Sequence, residues 1–386
     1  MHHHLQQYEM IQTETPSSAF VDSKPHYTIL DGLRGVAALM VLGYHIFEAF
    51  ATSHIDQHIN HGYLAVDFFF LLSGFVIAYA YDERWKKNTI TLKGFLKRRL
   101  IRLHPMVVIG AIIGAFMFYF QGCEVWDVSV VPVTLLLVST MLNALLIPVT
   151  TGFEIRGVGE MYPLNGPSWS LFFEYIGNIL YVLFLRLLPT RALAVLVFLA
   201  GCGLASFAIF GPLGDLGAGF AMTENDILGG SLRLLFSFSA GLLLSRIFRP
   251  TKIKGAFWIG SLVLITICAI PRIGGYDHLW MNGLYDSICV ILIFPLLVYI
   301  GASGTLTGKT ATRVCKFLGD ISYPLYMVHY PFIYLYFAWV KNENLTFVES
   351  LPGAVAVVVG SVLLAYLCLK FYDIPVRRYL TRRFLK

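Results

Sequence analysis

Apolar runs close to twenty residues long recur along this 386-residue chain, and that spacing constrains the fold more than any single motif. A helix of about 20 residues matches the roughly 30 Å hydrocarbon core of a bilayer. With 57% of residues hydrophobic and 13% charged, no polar stretch is long enough to fold as a separate water-soluble domain. The expected fold class is all-α, a polytopic transmembrane helical bundle. Residues 1–26 read as a polar cytoplasmic tail and residues 27–386 as a single membrane-embedded domain. No apolar run precedes Ile29, so the first spanning helix is expected to direct insertion itself.

Candidate spans cover residues 29–51, 62–81, 103–120, 130–148, 168–188, 192–210, 228–246, 255–271, 284–301, 317–340 and 353–371. Residues 82–104 carry eight Lys or Arg, whereas residues 52–62 carry none, which places the former in the cytoplasm and the N-terminus with it. If every candidate crossed, the basic clusters around Arg246–Lys254, Lys309–Lys316 and Arg377–Lys386 would lie outside, against the charge rule. Segment 130–148 is the weakest, interrupted by Pro132, Ser139, Thr140, Asn143 and Pro148. Such segments are re-entrant or buried in the bundle. Removing it leaves about ten spanning helices with both termini cytoplasmic.

Ionisable residues inside spans are costly and mark functional sites by default. The first span, LDGLRGVAALMVLGYH, carries Asp31, Arg34 and His45. A continuous helix puts His45 about 21 Å from Asp31, at about 1.5 Å per residue. Asp31 and Arg34 are three apart and suited to an intrahelical pair. At the cytoplasmic mouth, FLKRRLIRLHP (residues 95–105) places Arg98, Arg99 and Arg102 near one helix end. Their guanidinium groups are suited to gripping phosphates, the alternative being a topology signal alone. Asp67 in the second span calls for a buried cation, and Ser73 with Gly74 for close helix packing. His54, His58 and His61 are spaced as on one helical face, yet the short loop offers few further ligands, and no metal is expected.

Six ordered blocks resemble the acyltransferase 3 family of integral-membrane O-acyltransferases. They are LDGLRGVAAL followed by His45, the FFxLSGF-like block in residues 62–81, FLKRRLIRLHP, PSWSLFFEY (167–175), LGDISYPLYMVHYP (318–331) and DIPVRR (373–378). Departures are small: Leu103 replaces a usual Ile, Met106 precedes no Tyr, and Asp373 stands for a usual Glu.

The resemblance implies transfer of an acyl group, most often acetyl, from cytoplasmic acyl-coenzyme A to a hydroxyl of a carbohydrate or glycoside, in a bacterial inner membrane. On that reading Arg98, Arg99 and Arg102 hold the coenzyme phosphates, and neutral His45 acts as general base. A covalent acyl-histidine route is also open. Glu174 is assigned to catalysis, binding acceptor hydroxyls or orienting His45, with a structural ion pair as the alternative. Arg34 positions the thioester or holds the site together. Trp169, Ser170, Tyr323 and His329 lie in matching blocks and are assigned to site support, with Asp31, Asp67 and Ser73. The competing class is an ion-coupled transporter or flippase. Against it count the absence of paired broken helices in matching halves, the RxxR at the mouth and the six blocks in order.

Overall fold

The computed structural model describes residues 26–150 and 152–385, so the expected polar tail lies outside the described residues apart from His26. The architecture is helical throughout. The first helices are α1 (Thr28–Phe47), α2 (Ala65–Lys86), α3 (Leu92–Met117), α4 (Val133–Ala144), α5 (Ser168–Leu183), α6 (Thr190–Phe210) and α7 (Glu224–Ile247). They are followed by α8 (Ala256–Ala269), α9 (Leu279–Ile288), α10 (Phe294–Ala302), α11 (Lys309–Val328), α12 (Tyr330–Asn342), α13 (Phe347–Cys368) and α14 (Ile374–Phe384). Two-residue strands β1 (Ile253–Lys254) and β2 (Gly304–Thr305) pair in parallel.

Among the described residues, eight helical stretches are long and apolar enough to cross a membrane. They are Thr28–Phe50, Asn60–Lys86, Leu92–Phe120, Ser168–Leu187, Thr190–Phe210, Glu224–Ile247, Leu279–Ala302 and Phe347–Phe384. Three of the eleven candidates differ. Segment 130–148 contains only the 12-residue α4, and segment 255–271 the 14-residue α8. Segment 317–340 is broken at His329 into α11 and α12. Pro331 causes the break: it has no N–H to donate to the Met327 carbonyl. Asn165 takes over that carbonyl with a 2.8 Å hydrogen bond from its side-chain amide.

Local signals set the other boundaries. The Thr91 and Thr223 hydroxyls cap α3 and α7 by accepting from the N–H groups of Gly94 and Asp226. Thr346 and Glu349 form a capping box at α13. Along their length α2 and α7 pack through Gly74 and Gly241. A Cβ at Gly74 would stand 2.0 Å from the Phe238 carbonyl oxygen, and one at Gly241 would stand 2.1 Å from that of Leu71. Small residues here let two backbones touch, the packing role expected of Gly74.

Connecting segments sort into two sets by their contacts. In one, Arg272 (270–278) pairs with Asp215 (211–223), Ser53 lies 2.9 Å from Tyr276, and the Met161 N–H donates to Phe220 O. In the other, β1 joins β2, Arg246 bonds Asp82 and Leu188 O, and Lys97 reaches Phe384 O. Both ends of the α4 segment meet the first set: before α4, Gln121 accepts from Arg156 on the segment that carries Met161. Leu146, with φ of 57°, turns the chain back, and the Val149 N–H then donates to Met161 O.

Candidate active site

One unbroken helix carries Asp31, Arg34 and His45, as the sequence pattern predicts. At its start Arg34 is clamped on α11: Nε donates to Ser322 Oγ at 2.8 Å, and Nη2 reaches Gly319 O at 3.2 Å and Asp31 at 3.0 Å. Asp31 also meets His26 at 3.0 Å. Gly319 is what permits this approach, because a Cβ there would lie 2.6 Å from that of Asp31. Arg34 and Asp31 therefore tie α1 to α11.

At the far end of α1 the His45 ring is surrounded by aromatic groups. Its centroid lies 4.7 Å from Tyr330, 5.0 Å from Tyr44 and 5.6 Å from His329. The His45 side chain keeps 15% exposure, and its Nδ1 stands 2.9 Å from Glu48 Oε1. Nδ1 makes no aligned hydrogen bond to that oxygen, so the two are in close polar contact only. A carboxylate beside Nδ1 favours the proton there and leaves Nε2 with a free lone pair. Sequence reasoning missed Glu48. The available signal was its position three residues after His45, one turn along the same face.

His329 sits at the α11–α12 break and is fully buried. Its Nδ1 is 3.0 Å from Leu325 O, and a carbonyl only accepts, so Nδ1 carries the proton. Nε2 is left without a partner. Ser170 Oγ lies 2.7 Å from the Tyr326 hydroxyl, which links α5 to the turn before His329, while the Tyr323 hydroxyl donates to Leu103 O on α3.

Beyond His45 lies a second group that the sequence did not disclose. The Tyr330 ring is 4.6 Å from that of Tyr334, whose hydroxyl donates to Glu160. Buried Arg156 lies over Tyr334, 3.5 Å from the ring centre, and reaches Gln121 and Pro163 O. Burial pushes the Glu160 carboxyl up to about 7, only partly offset by Arg156 and the Tyr334 hydroxyl.

The arginines of the RxxR stretch are divided, contrary to the expectation that all three share one grip. Arg98 and Arg102, four apart, lie on one face of α3 and, among the described residues, form no hydrogen bond or ion pair. Arg99 turns inward, where Nε donates to Asn178 Oδ1 at 2.8 Å and Nη2 to Glu174 Oε1 at 2.9 Å. Ser73 donates to the same carboxylate oxygen at 2.8 Å. Glu174 thus makes the ion pair kept open as its alternative. It lies about 9 Å into α5, at about 1.5 Å per residue.

Asp67 has its cation. Arg233 forks onto its carboxylate at 2.7 to 3.2 Å, spends its other donors on Ala218 O and Tyr63 O, and lies 5.1 Å from the centre of the Trp169 ring. Trp169 in turn presses on Gly219, where a Cβ would be 2.3 Å from the indole and φ is +126°. His61 is buried between Ile270 O and Asn282, while His54 faces Asp215 at 3.8 Å, so these two histidines do not converge.

Similarity to known proteins agrees with this picture. The acyltransferase domain family matches residues 27–370. "Acyltransferase MdmB" of Streptomyces mycarofaciens is 27% identical over 330 residues, covering 78% of this chain and 77% of its own. "Protein 2 in picA locus" of Rhizobium radiobacter is 35% identical over 164 residues, 40% of this chain and 80% of that one. "Peptidoglycan O-acetyltransferase OatA" of Listeria monocytogenes is 23% identical over 379 residues, 92% of this chain, which spans 56% of that relative's length. No solved structure matches. With the family's domain running from the first turn of α1 into the turn after α13, the chain belongs to the acyltransferase 3 family.

Proposed function

We propose that the protein transfers an acyl group, acetyl in the first instance, from acyl-coenzyme A to a hydroxyl of a carbohydrate or glycoside, with His45 as general base. The observation that carries this reading is the Glu48–His45 contact at the end of α1 beside His329. His45 Nε2 takes the proton of the acceptor hydroxyl as its oxygen bonds to the thioester carbonyl carbon. Glu48 steadies the imidazolium, which returns the proton to the departing sulfur as the carbon–sulfur bond breaks. The products are an ester and the free thiol. Arg102 and Arg98 hold donor phosphates, and Arg99 fixes the Glu174–Ser73 junction of α2, α3 and α5.

The same proposal gives the chain ten crossings of a bacterial inner membrane with both termini cytoplasmic: the eight long helices, α8, and α11 with α12 as one broken span. The sorting of connecting segments into two sets supports it, with α4 re-entrant from the outer set. The polar tail and the single membrane domain remain part of this reading.

Titration of purified protein with acetyl-coenzyme A tests the function. Saturable binding that weakens with salt is expected, with product formation strongly reduced in His45→Ala. A protein indifferent to the coenzyme favours a transporter. For orientation, Asp56→Cys should react with an impermeant thiol reagent in intact cells and Asn88→Cys should not; the reverse overturns the topology.

A further inference from the structure

The closing DIPVRR motif contributes a feature that the reaction above leaves unused. Helices α13 and α14 form one rod, Phe347–Phe384, interrupted by a π turn at Leu369–Asp373. Pro375 accounts for the turn, because it cannot donate to the Phe371 carbonyl one turn earlier. The extra residue in the turn rotates α14 relative to α13. Asp373 is thereby carried into the bundle, where it is 1% exposed, and Arg377 lies four residues on along the same face. Arg377 Nη2 stands 2.7 Å from Asp373 Oδ2.

This face of α14 packs on α3, where Lys97 Nζ donates to Phe384 O at 3.2 Å. Arg377 lies seven residues before Phe384 on α14 and Arg102 five after Lys97 on α3, so the α14–α3 contact brings the two guanidiniums within electrostatic range. Asp373 pairs with Arg377 and lies within range of Arg102, yet its Oδ1 has no partner, and Arg377 Nε is buried and also unpartnered; Asp320 is the other carboxylate within range of Arg377. Arg102 makes no hydrogen bond or ion pair of its own. Arg377 and Arg102, with Lys370 and Lys316 acting on Asp320, outnumber the two carboxylates, which leaves a surplus of positive charge and forked donors, the arrangement that recognises phosphate oxygens.

We infer that Arg377 and Arg102 form a two-arginine phosphate site between α14 and α3, which binds the phosphates of the donor. The inference rests on the acyl-coenzyme A reading and adds the C-terminal helix to it. Arg377→Ala in phosphatidylcholine nanodiscs should raise KM for acetyl-coenzyme A roughly tenfold, at unchanged kcat. KM for S-acetylpantetheine, which lacks the phosphates, should not move. Arg377→Lys, which keeps the charge near Asp373 but not the fork, should give a smaller rise, and exposed Arg378→Ala none. If Arg377→Ala fails to fold because Asp373 is left unpaired, the D373N/R377A double variant supplies the same reading without the buried charge.

An unchanged KM for acetyl-coenzyme A, or an equal rise for both donors, overturns the site. A rise that appears only in discs containing phosphatidylglycerol assigns the arginines to a lipid headgroup and also overturns it. Wild-type protein that does not bind acetyl-coenzyme A refutes the donor reading itself, whereas weakening by Arg102→Ala without weakening by Arg377→Ala refutes this site alone.

Discussion

Arg233 on α7 and Arg102 on α3 belong to the same bundle and could hardly be treated more differently. Arg233 is 1% exposed, and its donors are spent on Asp67, two backbone carbonyls and the face of Trp169. Arg102 is exposed ten residues into α3 with neither hydrogen bond nor ion pair among the described residues, and three other guanidiniums, those of Arg34, Arg99 and Arg377, and the Asp373 carboxylate are within range of its charge. A buried charge is tolerated only when fully matched, so Arg233 is read as structural. A charge with no bonded partner, set among more cations than carboxylates, is available to a ligand. His45 lies between these extremes: partly exposed, with a carboxylate at one nitrogen and the other free.

The sharpest way to break this contrast is to unbalance the matched pair. Asp67→Asn or Arg233→Met should cost about 3–5 kcal/mol, seen as a large drop in thermal midpoint and the loss of monodisperse protein. Replacing both residues with apolar ones of similar volume should recover most of it. Next in size, His45→Ala should leave the midpoint near wild type and lower kcat roughly 10²–10⁴-fold. Glu48→Gln should lower kcat less and leave the donor KM unchanged, as a positioning residue requires; near-normal turnover would remove Glu48 from the site.

Arg102→Ala should do the opposite of Arg233→Met. The thermal midpoint stays fixed, and KM for acetyl-coenzyme A rises roughly tenfold with a shallower salt dependence. The smallest effect belongs to Glu160. Its folded-state carboxyl is raised from 4.5 to about 7, so the folded protein holds the proton more tightly than the unfolded chain does. Stability should therefore fall as pH rises from 4.5 through about 7. Glu160→Gln should flatten that slope in thermal melts, and an unaltered slope would show that other groups set it.

Much of the bundle was legible because its signals are local. The apolar runs, the continuous α1 with Asp31, Arg34 and His45 in register, the weakness of segment 130–148 and the need of Asp67 for a cation all come from spacing and desolvation. What escaped depended on direction. RxxR spacing does not reveal that Arg99 faces α5 while Arg102 faces outward, since a step of three residues on a helix leaves a rotation of about 60° that packing must resolve. Glu174 finds its partner 75 positions away on α3, and no pattern along the chain announces such a pair. Glu48 was missed for another reason: the 3₁₀ turn just after α1 reads as the end of a span, and its carboxylate looks like an interfacial residue until His45 is seen beside it.

Hydrophobic length and the cost of charge in lipid let the amino-acid order alone determine a helical membrane bundle with a histidine at the end of its first helix. Which arginines are matched and which are free, which rings the break at His329 brings beside His45, and how the π turn swings Arg377 toward Arg102 were decided only by the tertiary structure. The reason is that each depends on the rotation of one helix about its axis relative to another. That rotation is set by packing between distant segments, such as the Gly74–Gly241 contact, and not by the neighbours in sequence.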